Sequence, residues 1–185
     1  YKLEELGFDL ANFDKKKLGH LSNTIKELEN EGYQFEGAEA SLELLVYREF
    51  YDLEPFFEVH DFKIISHNDN GNQTSSEAMI KIEFDGKKVH TAAEGDGPVN
   101  ALDNGLRKAL DDFSPVINEI QLIDYKVRVL NGDEGTAAKV RVLIETAGQE
   151  KSWTTVGVST NLIQASWQAL VDSIEYGLLI NEVNK

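Results

Sequence analysis

Cysteine is absent from the 185 residues. That absence removes disulfide frameworks, thiolate nucleophiles and Cys-ligated zinc or iron–sulfur sites together. Basic residues are scarce: 18 Lys+Arg stand against 33 Asp+Glu, a formal net charge of −15. Such a charge repels phosphate backbones and anionic headgroups, so neither nucleic acid nor membrane is an expected partner. Long apolar runs are also missing; the stretch around Leu178 to Ile180 is typical, far short of the roughly 20 residues that span a bilayer. The opening Tyr1-Lys2-Leu3-Glu4-Glu5 has no initiating Met, no basic n-region and no apolar h-region. The chain therefore reads as an excised or processed piece of a cytoplasmic protein.

What is present is enough for a core. Hydrophobic residues make up 41% of the chain, with 9 Phe, 6 Tyr and 2 Trp, which argues for one or two compact units rather than disorder. From Asp14 to Asn30 the residues Leu18, Leu21, Ile25 and Leu28 recur at three- and four-residue steps. Asp14 suits the N-cap and Gly32 the stop, so an amphipathic helix is expected there. Ala38, Leu42, Leu45, Val46 and Phe50 mark the buried stripe of a second helix. Neither helix carries enough apolar surface to stand alone, so both must lean on something else.

The rest of the chain repeats itself. Asp61-Phe62-Lys63-Ile64-Ile65 matches Asp124-Tyr125-Lys126-Val127-Arg128, and Ala78-Met79-Ile80-Lys81-Ile82 matches Ala138-Lys139-Val140-Arg141-Val142, each about sixty residues apart. Gly95 and Gly157 each precede a helical stripe, Leu102, Leu106, Leu110 and Phe113 in one and Ile163, Trp167, Leu170, Ile174 and Leu178 in the other. The first copy is expected as strands over Val59–His67, Ser76–Phe84 and Lys87–Ala93 and a helix over Pro98–Phe113. The second is expected over Gln121–Leu130, Thr136–Glu145, Lys151–Val156 and Asn161–Leu178. Asn68-Asp69-Asn70-Gly71 and Asn131-Gly132-Asp133-Glu134-Gly135 have hairpin-loop composition. The fold class is thus α+β, two tandem βββα units with a pseudo-two-fold relation, preceded by a small helical subdomain. The boundaries expected are 1–55 for the helical linker and 56–185 for the repeat domain, divided into 56–117 and 118–185. A sheet with one helix leaves a second face to bury, so the copies should pack on each other, on a partner subunit, or both.

Few residues invite chemistry. His20, His60, His67 and His90 show no metal-binding spacing, and His60-Asp61, as strand neighbours, should face opposite ways. Ser66 to Glu77 imitates a calcium loop through Asn68, Asn70, Gly71 and Glu77, but Ser66 replaces the leading Asp and strands flank it. Glu27, Glu29, Glu31 and the pair Asp111-Asp112 read as solvated helix surface, and Trp153 and Trp167 as core. No nucleophile, base and orienter come together, so no catalytic residue and no metal site is expected. The loop Glu94-Gly95-Asp96-Gly97-Pro98-Val99 is different. Its two glycines permit positive φ, Asp96 or Gly97 suits the cap, and Pro98 suits the first helical position. A helix N-terminus there offers N–H groups and positive dipole charge to a carboxylate. Gly157-Val158-Ser159-Thr160-Asn161 holds the same place in the second copy, with Asn161 and Gln164 spaced as a capping pair.

Particular stretches then become recognisable. Ile25-Lys26-Glu27-Leu28-Glu29, with Glu31 to Glu36 and Ala38-Glu39-Ala40-Ser41, resembles the segment after the catalytic barrel of citramalate synthases. Gly95 to Asp103, Trp153 to Ser159 and Ala165 to Leu170 resemble the C-terminal regulatory domain shared by citramalate and α-isopropylmalate synthases. The resemblance implies a regulatory, dimerising domain that binds a branched-chain amino acid as feedback inhibitor. It implies that the acyl-transfer chemistry, with its divalent metal and acetyl-CoA, belongs to a TIM barrel that this stretch does not contain. No cofactor is then expected here, and the partners implied are the effector, a second copy of the chain and the parent's own barrel. The family's effector pocket lies between the two repeats. Carried over by motif, the candidates are Gly95, Asp96, Gly97, Pro98 and Ala101 on loop and helix, and Leu122, Tyr125 and Val129 on the strand. Val140 of a neighbouring strand and the turn Ser159, Thr160 and Asn161 are added to these. Leu122 and Tyr125 are odd-spaced, so a bulge or an edge position would be needed for all to face one pocket. The citramalate-like segment favours isoleucine, which citramalate leads to through 2-oxobutanoate. Leucine sensing in an α-isopropylmalate synthase, or a purely structural dimerisation module, are the other readings. The helix pair from Asp14 to Phe50 would transmit the signal to the barrel.

Overall fold

The computed structural model describes residues 2–69 and 73–183. A short helix α1 (Lys2–Glu5) precedes α2 (Lys15–Glu31) and α3 (Glu39–Phe50). Next come β1 (Glu58–Asp69), β2 (Gln73–Phe84), β3 (Lys87–Gly95) and α4 (Pro98–Leu110). The same order recurs in β4 (Gln121–Val129), β5 (Val140–Ala147), β6 (Ser152–Ser159) and α5 (Leu162–Val183). The strands form two antiparallel three-stranded sheets, β1-β2-β3 and β4-β5-β6. An α+β chain of two βββα units behind a helical segment is what results.

The signals at α2 act as their chemistry requires. Asp14 Oδ1 accepts from the N–H groups of Lys16 at 2.8 Å and Lys17 at 3.0 Å, and Gly32 closes the helix at φ +114°, a conformation that costs a side-chain residue strain. Elsewhere the boundaries shift. Strand β5 begins at Val140 rather than Thr136, because Gly132–Ala137 winds into a 3-10 turn with Gly135 at φ +60°. Helix α4 ends at Leu110, three residues before Phe113. In the expected hairpin at Asn68 to Gly71, β1 and β2 pair up to Asp69 with Gln73, while Asn70 and Gly71 lie outside the described residues. The calcium-loop pattern shares those two positions, and its ends, Ser66 and Glu77, are ladder residues paired with Ser76 and Ile65.

The chain folds as two compact bodies. One comprises everything up to Glu54 with Leu122–Ala147 and Lys151–Tyr176; the other comprises Pro55–Gln121, Gly148–Glu150 and the chain from Gly177 onward. The helices α2 and α3 therefore share a body with most of the second repeat. In that body the sheet is sandwiched. Val142, Ile144 and Thr146 of β5 alternate with half-buried neighbours, and Trp153 donates its indole N–H to Ser173 of α5 at 3.1 Å. Against the opposite face, Phe35, Ala38 and Leu42 pack on Val156 and Val158, with Ile25, Leu28, Leu45 and Leu143 around them. The second face of this sheet is thus buried by the chain's own N-terminal helices, the support those helices lacked alone.

The other body has two layers. Ala78, Ile80 and Ile82 of β2 are fully buried beneath Leu102, Leu106 and Leu110 of α4. The reverse face of that sheet is built from charge. Asp61 pairs with Lys81, Lys81 with His90, and Glu83 with Lys88 across the ladder. The opposite charges of Asp61 with Lys81 and of Glu83 with Lys88 stabilise a surface that water can cover, although Lys81 also faces His90 and Glu58 faces Glu83.

Candidate effector site

In the β1–β3 body, Gly95 ends β3 where the strand meets α4. A Cβ there would collide with the backbone N of Ala101 and lie 2.7 Å from Asn100 Oδ1, so only glycine lets strand and helix approach this closely. Positive φ is not the reason for the glycines, contrary to the expectation from sequence: Gly97 sits in extended backbone at φ −158° as the N-cap of α4. Asn100 Oδ1 accepts the Asp96 N–H at 3.2 Å and Asn104 Nδ2 donates to the Glu94 carbonyl at 2.9 Å. The loop is held by side chains from inside its own helix. Gly97 has no side chain to cap with and Pro98 has no N–H, so the first-turn N–H groups of Val99 and Asn100 meet the outside without a capping side chain. Asp96 is exposed beside them, whereas Ala101 is fully buried.

The corresponding turn in the other body is closed. A Cβ on Gly157 would collide with the Ala165 carbonyl, the same close approach of strand and helix as at Gly95. Beyond it, Ser159 Oγ accepts the Asn161 N–H at 3.0 Å. Asn161 Oδ1 accepts from Ile163 at 2.9 Å and Gln164 at 3.3 Å. Asn161 is the cap its spacing suggested, and it occupies the donors that stay open at α4. Thr160 is exposed. Val140 pairs directly with Ser159 across β5 and β6, so this residue and this turn are brought together.

Strand β4 occupies the edge of its sheet. Tyr125 is half-buried, and its hydroxyl lies 2.8 Å from Ser166 Oγ. Ser166 spends its proton on the Leu162 carbonyl at 2.7 Å, so Tyr125 is the donor. Val129, 55% exposed, shares its strand face by alternation, together with the exposed Ile123 and Val127. Leu122 is half-buried and of opposite parity. Of the twelve residues expected at the site, Gly95, Asp96, Gly97, Pro98 and Ala101 belong to one body and the other seven to the second.

Sequence reading missed a half-buried ionic cluster around the buried Glu175. Arg48 of α3 donates to Glu175 at 2.6 Å and to Asp172 at 3.2 Å, both on α5. Ser41 donates to Asp172 at 3.1 Å and accepts the edge N–H of Val156 at 3.0 Å. Burial pushes the Asp172 carboxyl above its ordinary range against the pull of Arg48. Burial also lowers Arg48, but the two carboxylates outweigh it and hold the guanidinium above its usual value. Beside it Tyr176 donates to Glu43 at 2.8 Å, and burial drives both groups upward. The one signal was Asp172 and Glu175 three residues apart within the apolar stripe of Leu170, Ile174 and Leu178. Also unforeseen is a cavity of about 210 Å³ in the β1–β3 body, lined by Phe56, Phe84, Phe113, Val116 and Leu178 among others. None of the twelve expected residues lines it.

Residues 36–178 match the model of the LeuA allosteric (dimerisation) domain. The chain belongs to this family. It is 53% identical over 178 residues to an (R)-citramalate synthase of Geobacter sulfurreducens, covering 96% of this chain and 34% of that protein. Against the (R)-citramalate synthase of Aquifex aeolicus it is 48% identical, with 98% of this chain and 34% of the relative covered. A 2-isopropylmalate synthase of the same organism is 32% identical, over 98% and 32%. The chain therefore spans about a third of the length of the curated relatives it matches, and that third is the allosteric domain. Among the described residues no helix is long and apolar enough to cross a membrane.

Proposed function

We propose that this LeuA domain is the isoleucine sensor of a citramalate synthase, pairing with a second copy of itself and reporting effector binding as feedback inhibition of the acyl-transfer barrel. The observation that carries the reading is the contrast within one organism: 48% identity to the Aquifex aeolicus (R)-citramalate synthase against 32% to its 2-isopropylmalate synthase. The open start of α4 supports it. Val99 and Asn100 offer N–H groups to a carboxylate at the positive end of a helix, and exposed Asp96 offers an acceptor to an ammonium group. Leu122, Tyr125 and Val129 are the candidates for the aliphatic side chain, each buried methylene contributing about 0.8 kcal/mol. Isoleucine and leucine differ only in where one methyl sits, so pocket shape discriminates by about 1–3 kcal/mol. Inhibition then needs a coupling of about 1–3 kcal/mol to the barrel. The helices α2 and α3 are the natural carriers, since they pack on the sheet that holds Tyr125.

Thermal unfolding in isoleucine, leucine and valine tests this, because a ligand that binds only the folded form raises Tm by mass action. Isoleucine should give the largest rise. Gly97→Asp, whose new side chain meets open space, places a competing carboxylate at the α4 cap and should reduce the shift, as should Tyr125→Ala. A larger shift with leucine would favour the 2-isopropylmalate synthase reading. No shift with any of the three would leave a dimerisation module.

A further inference from the structure

On the charged face of the β1–β3 sheet the ladder breaks once. Val59 pairs with Ile82 and Asp61 with Lys81, leaving His60 as an extra residue in β1. Strand neighbours ordinarily face opposite ways, and that was the expectation for His60 and Asp61. The bulge overturns it: Asp61 shares the face of Lys81, and His60 reaches Glu83 on that same face. Bulges of this kind re-aim a side chain. Here the result is a histidine set between two carboxylates, with Nε2 3.0 Å from Glu83 Oε2 and Nδ1 3.8 Å from Glu58 Oε1. Glu58 and Glu83 are themselves direct partners across the strands.

We propose that Glu58, His60 and Glu83 form a binding site for a first-row divalent cation of the zinc type. One donor atom from each lies within 4.8 Å of the others. Donors about 2.0–2.2 Å from a zinc ion stand roughly 3 Å apart, the separation that His60 and Glu83 already have. Glu58, with 72% of its side chain exposed, closes the third side by rotation at little cost. Two carboxylates and a neutral imidazole balance the dication, and the open side leaves room for water ligands. An imidazole in the set selects zinc, nickel or copper over magnesium and calcium, which prefer all-oxygen shells. Lys88 approaches Glu83 at 3.9 Å from a mostly exposed position and swings away when the cation takes its place. This site is independent of the proposed effector.

Calorimetric titration of the full chain with zinc chloride, repeated in excess magnesium, tests the assignment. One zinc per chain should bind, with magnesium failing to compete. His60→Ala should weaken binding at least about tenfold and Glu83→Gln by a similar factor. His20→Ala, which removes the imidazole paired with Glu49 in the other body, should leave it unchanged. Circular dichroism checks that the variants fold, and the His60 ring resonances in NMR should be the ones that move on titration. Undiminished affinity in His60→Ala, loss in His20→Ala instead, equal competition by magnesium, or no binding at millimolar zinc would each overturn the proposal.

Discussion

The two βββα units share chain order, strand pairing and the glycine that lets each helix approach its third strand, yet their sheets live in different surroundings. One sheet is covered on both faces, by α5 and by the N-terminal helices; the other has α4 on one face and a lattice of Asp61, Lys63, Lys81, Lys88, His90 and Glu94 on the reverse. Duplication reproduced the topology and left the outer face free to diverge. Where α2 and α3 cover the sheet, β6 places Val156 and Val158 outward and β5 adds Leu143. On the reverse face of the β1–β3 sheet, the corresponding outward positions carry ions, Glu94 and Glu77 among them. The outward alternation of each strand follows what lies above it.

That difference can be broken by truncating one large side chain on each reverse face. Phe35, 3% exposed, fills the space between the helices and β6. Phe35→Ala should lower the stability of its body by about 3–5 kcal/mol, the usual cost of such a cavity. Met79 is half-buried on the charged face of the other sheet, and Met79→Ala should cost no more than about 0.5 kcal/mol. Urea unfolding of the two variants, followed by far-UV dichroism, measures both. Similar losses would mean that the charged face is as much a core as the covered one.

A second test uses the acid response. The covered sheet's helices bring Asp172 into a half-buried cluster where its carboxyl titrates above the ordinary value of 3.8. The folded protein then holds that proton more tightly than the unfolded chain. The stability this contributes is complete below the ordinary value and disappears as the pH rises through the folded one. Asp172→Asn removes that contribution. The variant's stability should therefore fall less steeply with rising pH just above 3.8, by up to about 1.4 kcal/mol per pH unit. An unchanged slope would place Asp172 in contact with water. Glu43 and Asp103 are raised in the same sense by burial and contribute to the slope in the same direction.

Much of this molecule was legible in its sequence, for reasons that are local. Asp14 and Gly32 bracket α2 because a side-chain acceptor and a left-handed residue are what a helix's ends require. The repeat gave both sheets because period-two patterning survives duplication. Three things were not legible. The bulge at His60 depends on which residue of β2 each residue of β1 faces, and that register is non-local. The partner of the second sheet's free face was α3, more than a hundred residues away in the chain. The Arg48 cluster needed two helices placed side by side before its charges met. For the candidate site, the loop glycines were found and their positive φ was not: Gly97 is extended, and close packing of strand on helix holds Gly95 in place, as it does Gly157 in the other repeat.

The smallest expected effect separates the two helix starts themselves. Asn161 fills two N–H donors of α5 with its own side chain, whereas Gly97 leaves those of α4 unfilled. Asn161→Ala should cost about 1 kcal/mol, the usual worth of an N-cap. Gly97→Ser adds the missing acceptor where a Cβ meets open space and should stabilise by a few tenths of a kcal/mol, since glycine is only slightly worse than serine as a cap. Chemical unfolding without ligand measures both, and opposite signs are the expected outcome. If Gly97→Ser destabilised instead, the α4 donors would already have a partner, and the asymmetry that makes this turn the better receiver of a carboxylate would be gone.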